Sequence, residues 1–170
     1  MTKKILGLCA FLAATAHAQT LTSTAIQRYF TPVRTNLEAA AEAMPADKFD
    51  YKLTPGQMTF AEWLLHSADR NYLDCAALKG EPRPVPADVV NSQKGKAAVS
   101  KVLHDSFAYC AAALGAMTDA KVTATPEMSY SFLHTVVHNN EIYGNLAGYL
   151  RSAGVVPPST ARRLAAAPKQ

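Results

Sequence analysis

Cysteine, charge of one sign and long hydrophobic runs are all scarce in this 170-residue sequence, and each shortage removes a class of protein. Three cysteines are too few for a disulfide-dense mini-protein. The balance of 17 Lys+Arg against 13 Asp+Glu, a formal charge of +4, is too slight for a nucleic-acid surface. Ten prolines and eight glycines are ordinary numbers, so collagen-like and low-complexity chains are excluded. There is no Ser-His-Asp arrangement, glycine-rich phosphate loop, CxxC motif or internal repeat. What remains is 49% hydrophobic and 18% charged, which suits one globular domain and not a disordered chain.

One apolar run does stand out, at the start. Lys3 and Lys4 precede the apolar stretch from Ile5 to Ala16, and Ala16-His17-Ala18 forms an A-x-A site. These are the basic, apolar and cleavage regions of a secretory signal peptide. The run falls short of the roughly 20 residues that span a bilayer. Residues 1–18 are therefore expected to be cleaved, leaving a periplasmic or secreted chain with no stable membrane insertion. Cys9 follows Leu8 where a lipoprotein would have a small residue, and it leaves with the leader. Two lysines leave as well, so the mature chain keeps 15 basic against 13 acidic side chains. No nucleic-acid partner is expected.

Four segments carry helical periodicity, and none reads clearly as a strand. The first runs from about Ser23 to Ala43, with Ile26, Tyr29, Phe30, Val33, Leu37, Ala40 and Met44 at three- and four-residue spacings. Pro32 is expected to kink it or mark a late start. The second opens at Thr59-Phe60-Ala61-Glu62, a capping-box spacing, and ends at Lys79-Gly80. Three prolines between Glu81 and Asp88 predict an extended crossover. The third covers Gln93 to Met117. The fourth starts at Thr125-Pro126-Glu127 and continues to about Ala153, with Gly154, Pro157 and Pro158 expected to prevent resumption. The predicted fold class is all-α, a four-helix bundle over 19–158 followed by a flexible tail at 159–170. If the crossover leaves helices two and three parallel, Cys75 and Cys110 lie at similar heights, and a Cys75–Cys110 disulfide is expected. Two buried free thiols are the alternative.

The mature chain has four histidines. His134 and His138 are four apart, so their imidazoles project from one helix face and can chelate one ion. His66 has a largely apolar setting beside Trp63 and Leu65, and a bundle can bring it across to the fourth helix. His104, between Lys101 and Asp105, reads as a solvated surface residue.

The stretch His138-Asn139-Asn140-Glu141-Ile142-Tyr143-Gly144-Asn145-Leu146, with Tyr149-Leu150-Arg151 and Gly154-Val155-Val156-Pro157-Pro158-Ser159, resembles the last helix of DinB-like (YfiT-type) proteins. Met44-Pro45-Ala46-Asp47-Lys48-Phe49-Asp50-Tyr51, Phe60 to His66, Asn71-Tyr72 and Ala77-Leu78-Lys79-Gly80 are similar to that family's loop and second helix. The resemblance implies an up-down-down-up bundle with a long crossover between helices two and three. It also implies a metal site, zinc or nickel, built from three histidines. His66 and His138 match two of them, but Ile142 stands where the third would fall. His134, one turn earlier, is the candidate replacement, with the ion moved about 5–6 Å along the helix. Glu141 is a further candidate ligand or base, and Trp63, Ile142 and Asn145 border the expected pocket. Tyr143 and Tyr149 are expected to pack.

Two functions follow from the resemblance. One is an exported metal-dependent hydrolase, or a transferase using low-molecular-weight thiols, with a degenerate site of His66, His138 and His134. The other is a non-catalytic bundle that has lost the metal and binds a small molecule or a protein. A homodimer without a small-molecule site is a third possibility.

Overall fold

The computed structural model describes residues 22–167, so the expected leader lies outside them. The described residues are all-helical, with no strand among them. They form α1 (Thr22–Ala43), α2 (Phe60–Lys79), α3 (Ala87–Asn91), α4 (Gly95–Gly115), α5 (Asp119–Val122), α6 (Pro126–Ser152) and α7 (Pro158–Ala165), with a 3-10 turn over Ala46–Lys48. None of these helices is long and apolar enough to cross a membrane.

The ends of the long helices follow local chemistry. The Glu62 N–H donates to Thr59 Oγ1 at 3.0 Å and the Thr59 N–H donates to Glu62 Oε2 at 2.6 Å, so the capping box closes in both directions. That bond from the Thr59 amide holds the Glu62 carboxyl below its ordinary pKa. Gly80 takes φ +66°, a left-handed conformation that side chains resist, and ends α2. Thr125 accepts the Met128 N–H at 3.2 Å, and Pro126 sits in the first turn, where its missing N–H costs nothing.

Elsewhere the structure departs from the periodicity. α1 begins ten residues before Pro32 and runs through it. The proline lies on the exposed side, while Phe30, Val33, Leu37 and Ala40 keep the other side buried. Tyr29, expected in that apolar stripe, is 51% exposed. Two short helices, α3 and α5, occupy stretches expected to be loop, each pinned by one buried valine, Val90 and Val122. A helix also resumes after Pro157. Pro158 is its first residue, where proline is tolerated, and the Tyr143 hydroxyl both donates to Ser159 Oγ and accepts the Ser159 N–H.

Each of α1 and α2 packs against both α4 and α6. Between α2 and α4 the paired residues rise together, Asn71 with Ser106 and Cys75 with Cys110. Between α2 and α6 they run oppositely, His66 with His138 and Asp74 with His134. The same holds between α1 and α4, where Glu38 meets His104 and Gln27 meets Leu114. Leu37, Met44, Leu64, Leu103, Phe107, Phe132, Ile142, Leu146 and Tyr149 fill the space between the four. Each such side chain contributes about 1.5–3 kcal/mol on burial.

Cys75 and Cys110 are fully buried, their Cα atoms 5.3 Å apart and their sulfurs at bonding distance. A bridge across this separation of 35 residues is expected to contribute about 3–4 kcal/mol by restricting the unfolded chain. Urea unfolding with and without reductant should show a loss of that size. Two free thiols counted under denaturing, non-reducing conditions would mean that the bridge does not form in solution.

Candidate functional site

Along the seam between α2 and α6, both helices interrupt their apolar pattern with polar residues at three- and four-residue spacings. α2 contributes His66, Ser67, Arg70, Asn71 and Asp74, and α6 contributes Ser131, His134, Thr135, His138 and Asn139. Because the two helices pack together, these two polar stripes face each other.

The deeper layer is a closed hydrogen-bond chain. Ser67 Oγ donates to Asn139 Oδ1 at 2.5 Å, and Asn139 Nδ2 donates to Asn71 Oδ1 at 2.7 Å. Asn71 Nδ2 continues to Ser106 Oγ on α4 at 3.1 Å, and Ser106 Oγ donates to the Leu103 carbonyl. All four side chains are at most 1% exposed.

The outer layer holds the imidazoles. His66 Nε2 and His138 Nε2 are 3.0 Å apart, with ring planes at 84°. His134 stacks on His138, centroids 4.7 Å apart and planes at 14°, and Tyr130 stacks on the other face of His134 at 4.9 Å. His134 Nδ1 lies 2.7 Å from Asp74 Oδ2, while Arg70 donates to Asp74 Oδ1 at 3.0 Å. Trp63 meets His66 edge-on at 6.3 Å and donates its indole N–H to the Tyr149 hydroxyl. Burial lowers the pKa of His66, with Asp69 opposing it and Arg70 and His134 adding to it. Burial also lowers that of His138, reinforced by His134 and His66 and opposed by Glu141. Near neutral pH both rings are therefore uncharged, and one N–H serves the contact between them.

Beside His66 opens a groove of ≈ 510 Å³, whose lining includes Lys52, Gln57, Met58, Leu65 and Lys94. A larger groove of ≈ 710 Å³ between α1 and α4 contains His104 but none of the seam residues.

Residues 29–141, from α1 to the middle of α6, match the family model of the DinB superfamily. The chain belongs to the DinB superfamily. No curated protein matches it. The matched span includes His66, His134 and His138, and it ends one residue before Ile142.

The residues present do not fit the three-histidine centre that the DinB resemblance implies. Among the described residues no group of three or more His, Cys, Asp or Glu side chains is placed to hold an ion. His66 and His138 do come together, as their match predicts. Ile142 is fully buried in the core, and His134 Nδ1 turns to Asp74. Glu141 is exposed, and its carboxylate is 3.7 Å from His138 Nδ1, the nitrogen remote from His66. Asn145, expected to border the pocket, is half-buried and donates weakly to the Glu141 carbonyl at 3.3 Å. His104 is exposed and contacts Glu38, as its polar neighbours suggested.

Apolar periodicity overlooks Asp74, Ser67 and Asn139. The available signal is the inverse pattern, polar residues recurring at helical spacing within otherwise apolar helices.

The depressed histidine pKa values carry a sign. A group that titrates lower in the folded chain adds stability above its unfolded pKa, about 6.5 for histidine, and that stability is lost as the pH falls toward the folded value. Urea unfolding from pH 8 to pH 5 should show stability falling below about pH 6.5. His66→Gln should flatten that dependence, and an unchanged slope would refute the assignment.

Proposed function

We propose that this DinB-superfamily domain is an exported, non-catalytic bundle that binds a small polar molecule in the groove beside His66. The four long helices then follow the up-down-down-up order, the reading favoured by the pair registers of α2 with α4, α2 with α6 and α1 with α4. The observation that carries the functional reading is the contact between His66 Nε2 and His138 Nε2 at 3.0 Å, without a third donor beside it among the described residues. Catalysis through the family's metal needs an ion held by the chain with a position left open, and two imidazoles bonded to each other supply neither.

The groove suits the binding role. Its volume, ≈ 510 Å³, falls in the range of small-molecule pockets. Its walls combine Met58 and Leu65 with Lys52, Glu62, Lys94 and His66. Gln57 Oε1 is a buried acceptor without a partner. A hydroxyl or amide N–H on the ligand would satisfy it and recover part of the cost of about 1–3 kcal/mol. Export is supported by the basic-apolar-A-x-A pattern of residues 3–18 and by the buried Cys75–Cys110 pair, which suits an oxidising compartment.

A second reading, a metal-dependent hydrolase or transferase using His66, His138 and His134 with zinc or nickel, draws on one observation. Asp74 contacts His134 Nδ1, and carboxylates commonly orient metal-binding imidazoles in this way.

The single tryptophan makes the binding reading testable, because Trp63 lies edge-on to His66. A screen of neutral polyols, amides and amino acids should yield compounds that change Trp63 emission and raise the melting temperature. At 100 times Kd such a compound should stabilise the fold by about 2.7 kcal/mol. Gln57→Ala and His66→Ala should each weaken the hits by about tenfold, equivalent to 1.4 kcal/mol. Hits indifferent to both substitutions would place binding elsewhere. Intact-mass measurement of protein recovered from the cell envelope or medium should find a chain beginning at Gln19, and retention of Met1 would refute cleavage.

A further inference from the structure

We infer that one shared proton joins His66 to His138 where a metal ion would otherwise sit, with His66 as the donor, and that Ile142 keeps the pair in this state. The inference goes beyond the ligand reading and does not depend on it.

The Nε2–Nε2 separation of 3.0 Å is an ordinary N–H···N distance. A neutral imidazole has one N–H and one lone pair, so two Nε2 atoms this close need opposite tautomers. Two facing lone pairs would repel, and so would two facing N–H groups. The surroundings select between the two arrangements. The Glu141 carboxylate is 3.7 Å from His138 Nδ1, and its field favours a proton on that nitrogen. His138 then presents a bare Nε2, and His66 donates its Nε2–H.

Competing donors are already engaged. Asp69 is held by Arg83 at 2.7 Å, and Asp74 lies between Arg70 and His134. His134 lies parallel to His138, so the two rings lie side by side and do not converge edge to edge on a point. One turn beyond His138, the side chain is the fully buried Ile142, which offers no lone pair. An ion entering between His66 and His138 would displace the shared proton and gain only two protein ligands. A third imidazole at position 142, one turn from His138 on the same helix, would change that balance.

The experiment uses the mature chain at pH 7.5, titrated separately with zinc and nickel and followed by calorimetry and Trp63 emission. The unsubstituted chain is expected to show no saturable binding tighter than about millimolar. Ile142→His should bind one equivalent at least about 100-fold more tightly, and His138→Gln added to it should abolish the gain. The ¹⁵N imidazole spectrum of the unsubstituted chain should show His66 protonated on Nε2 and His138 on Nδ1. One equivalent bound by the unsubstituted chain at micromolar affinity or better, and lost in His66→Gln, would overturn the inference. A folded Ile142→His chain with no gain would refute the role of Ile142, and the reverse tautomers would refute the assigned donor. Because position 142 is fully buried, circular dichroism first establishes that this variant folds. If it does not, Ile142→Asn and Ile142→Ala serve together, and a gain in zinc affinity confined to the asparagine variant would support the same role. Equal affinity in both would count against it.

Discussion

The structure depends on a chain of four buried polar side chains that runs from α6 through α2 to α4. Ser67, Asn139, Asn71 and Ser106 satisfy one another in a dry environment, where each missing partner would cost about 1–3 kcal/mol. Apolar packing alone tolerates a helix sliding or turning against its neighbour. A buried amide network does not, because a small shift leaves several groups unpaired at once. The network therefore sets the height and rotation of α2 against two neighbours together. His66 precedes Ser67 and His138 precedes Asn139, so the meeting of the imidazoles follows from the register beneath them.

That arrangement holds the helices of the DinB-superfamily domain together through the chain's own side chains. The polar layer and the core around Leu64, Phe132 and Leu146 do not need an ion. With Ile142 the core gains a fully buried aliphatic side chain, and burial of that kind contributes about 1.5–3 kcal/mol. His134 is engaged elsewhere. It pairs with a carboxylate on α2 and lies between two rings, contacts that bind the helices together and aim its Nδ1 at Asp74.

How much of this is legible in the sequence depends on the range of the interaction. Thr59 with Glu62, Thr125 with Pro126, and Gly80 are written within a few residues of each other, and they mark helix ends correctly. α3, α5 and α7 are too short to show periodicity and are held by contacts to other helices, such as Tyr143 with Ser159 and Ser23 with Asp119. Tyr29 fits the apolar spacing of α1 yet faces outward, because spacing identifies a stripe but not its edges. At the site, the meeting of His66 and His138 follows from matching family positions, and the i, i+4 spacing places His134 on the same face as His138. The partner of His134 is 60 residues away on another helix, and no local pattern encodes it.

The Cys75–Cys110 link has a consequence for the exposed crossover it encloses. The proline-rich segment from Glu81 to Pro86 and the start of α3 carry mostly exposed residues and lie wholly between the two cysteines. A protease that cut the backbone there would not release a fragment, since α2 and α4 stay covalently joined through sulfur. The bond is buried beside the amide network, out of reach of a reductant until the bundle opens. The domain can thus be nicked at this connection and still hold its histidine seam together.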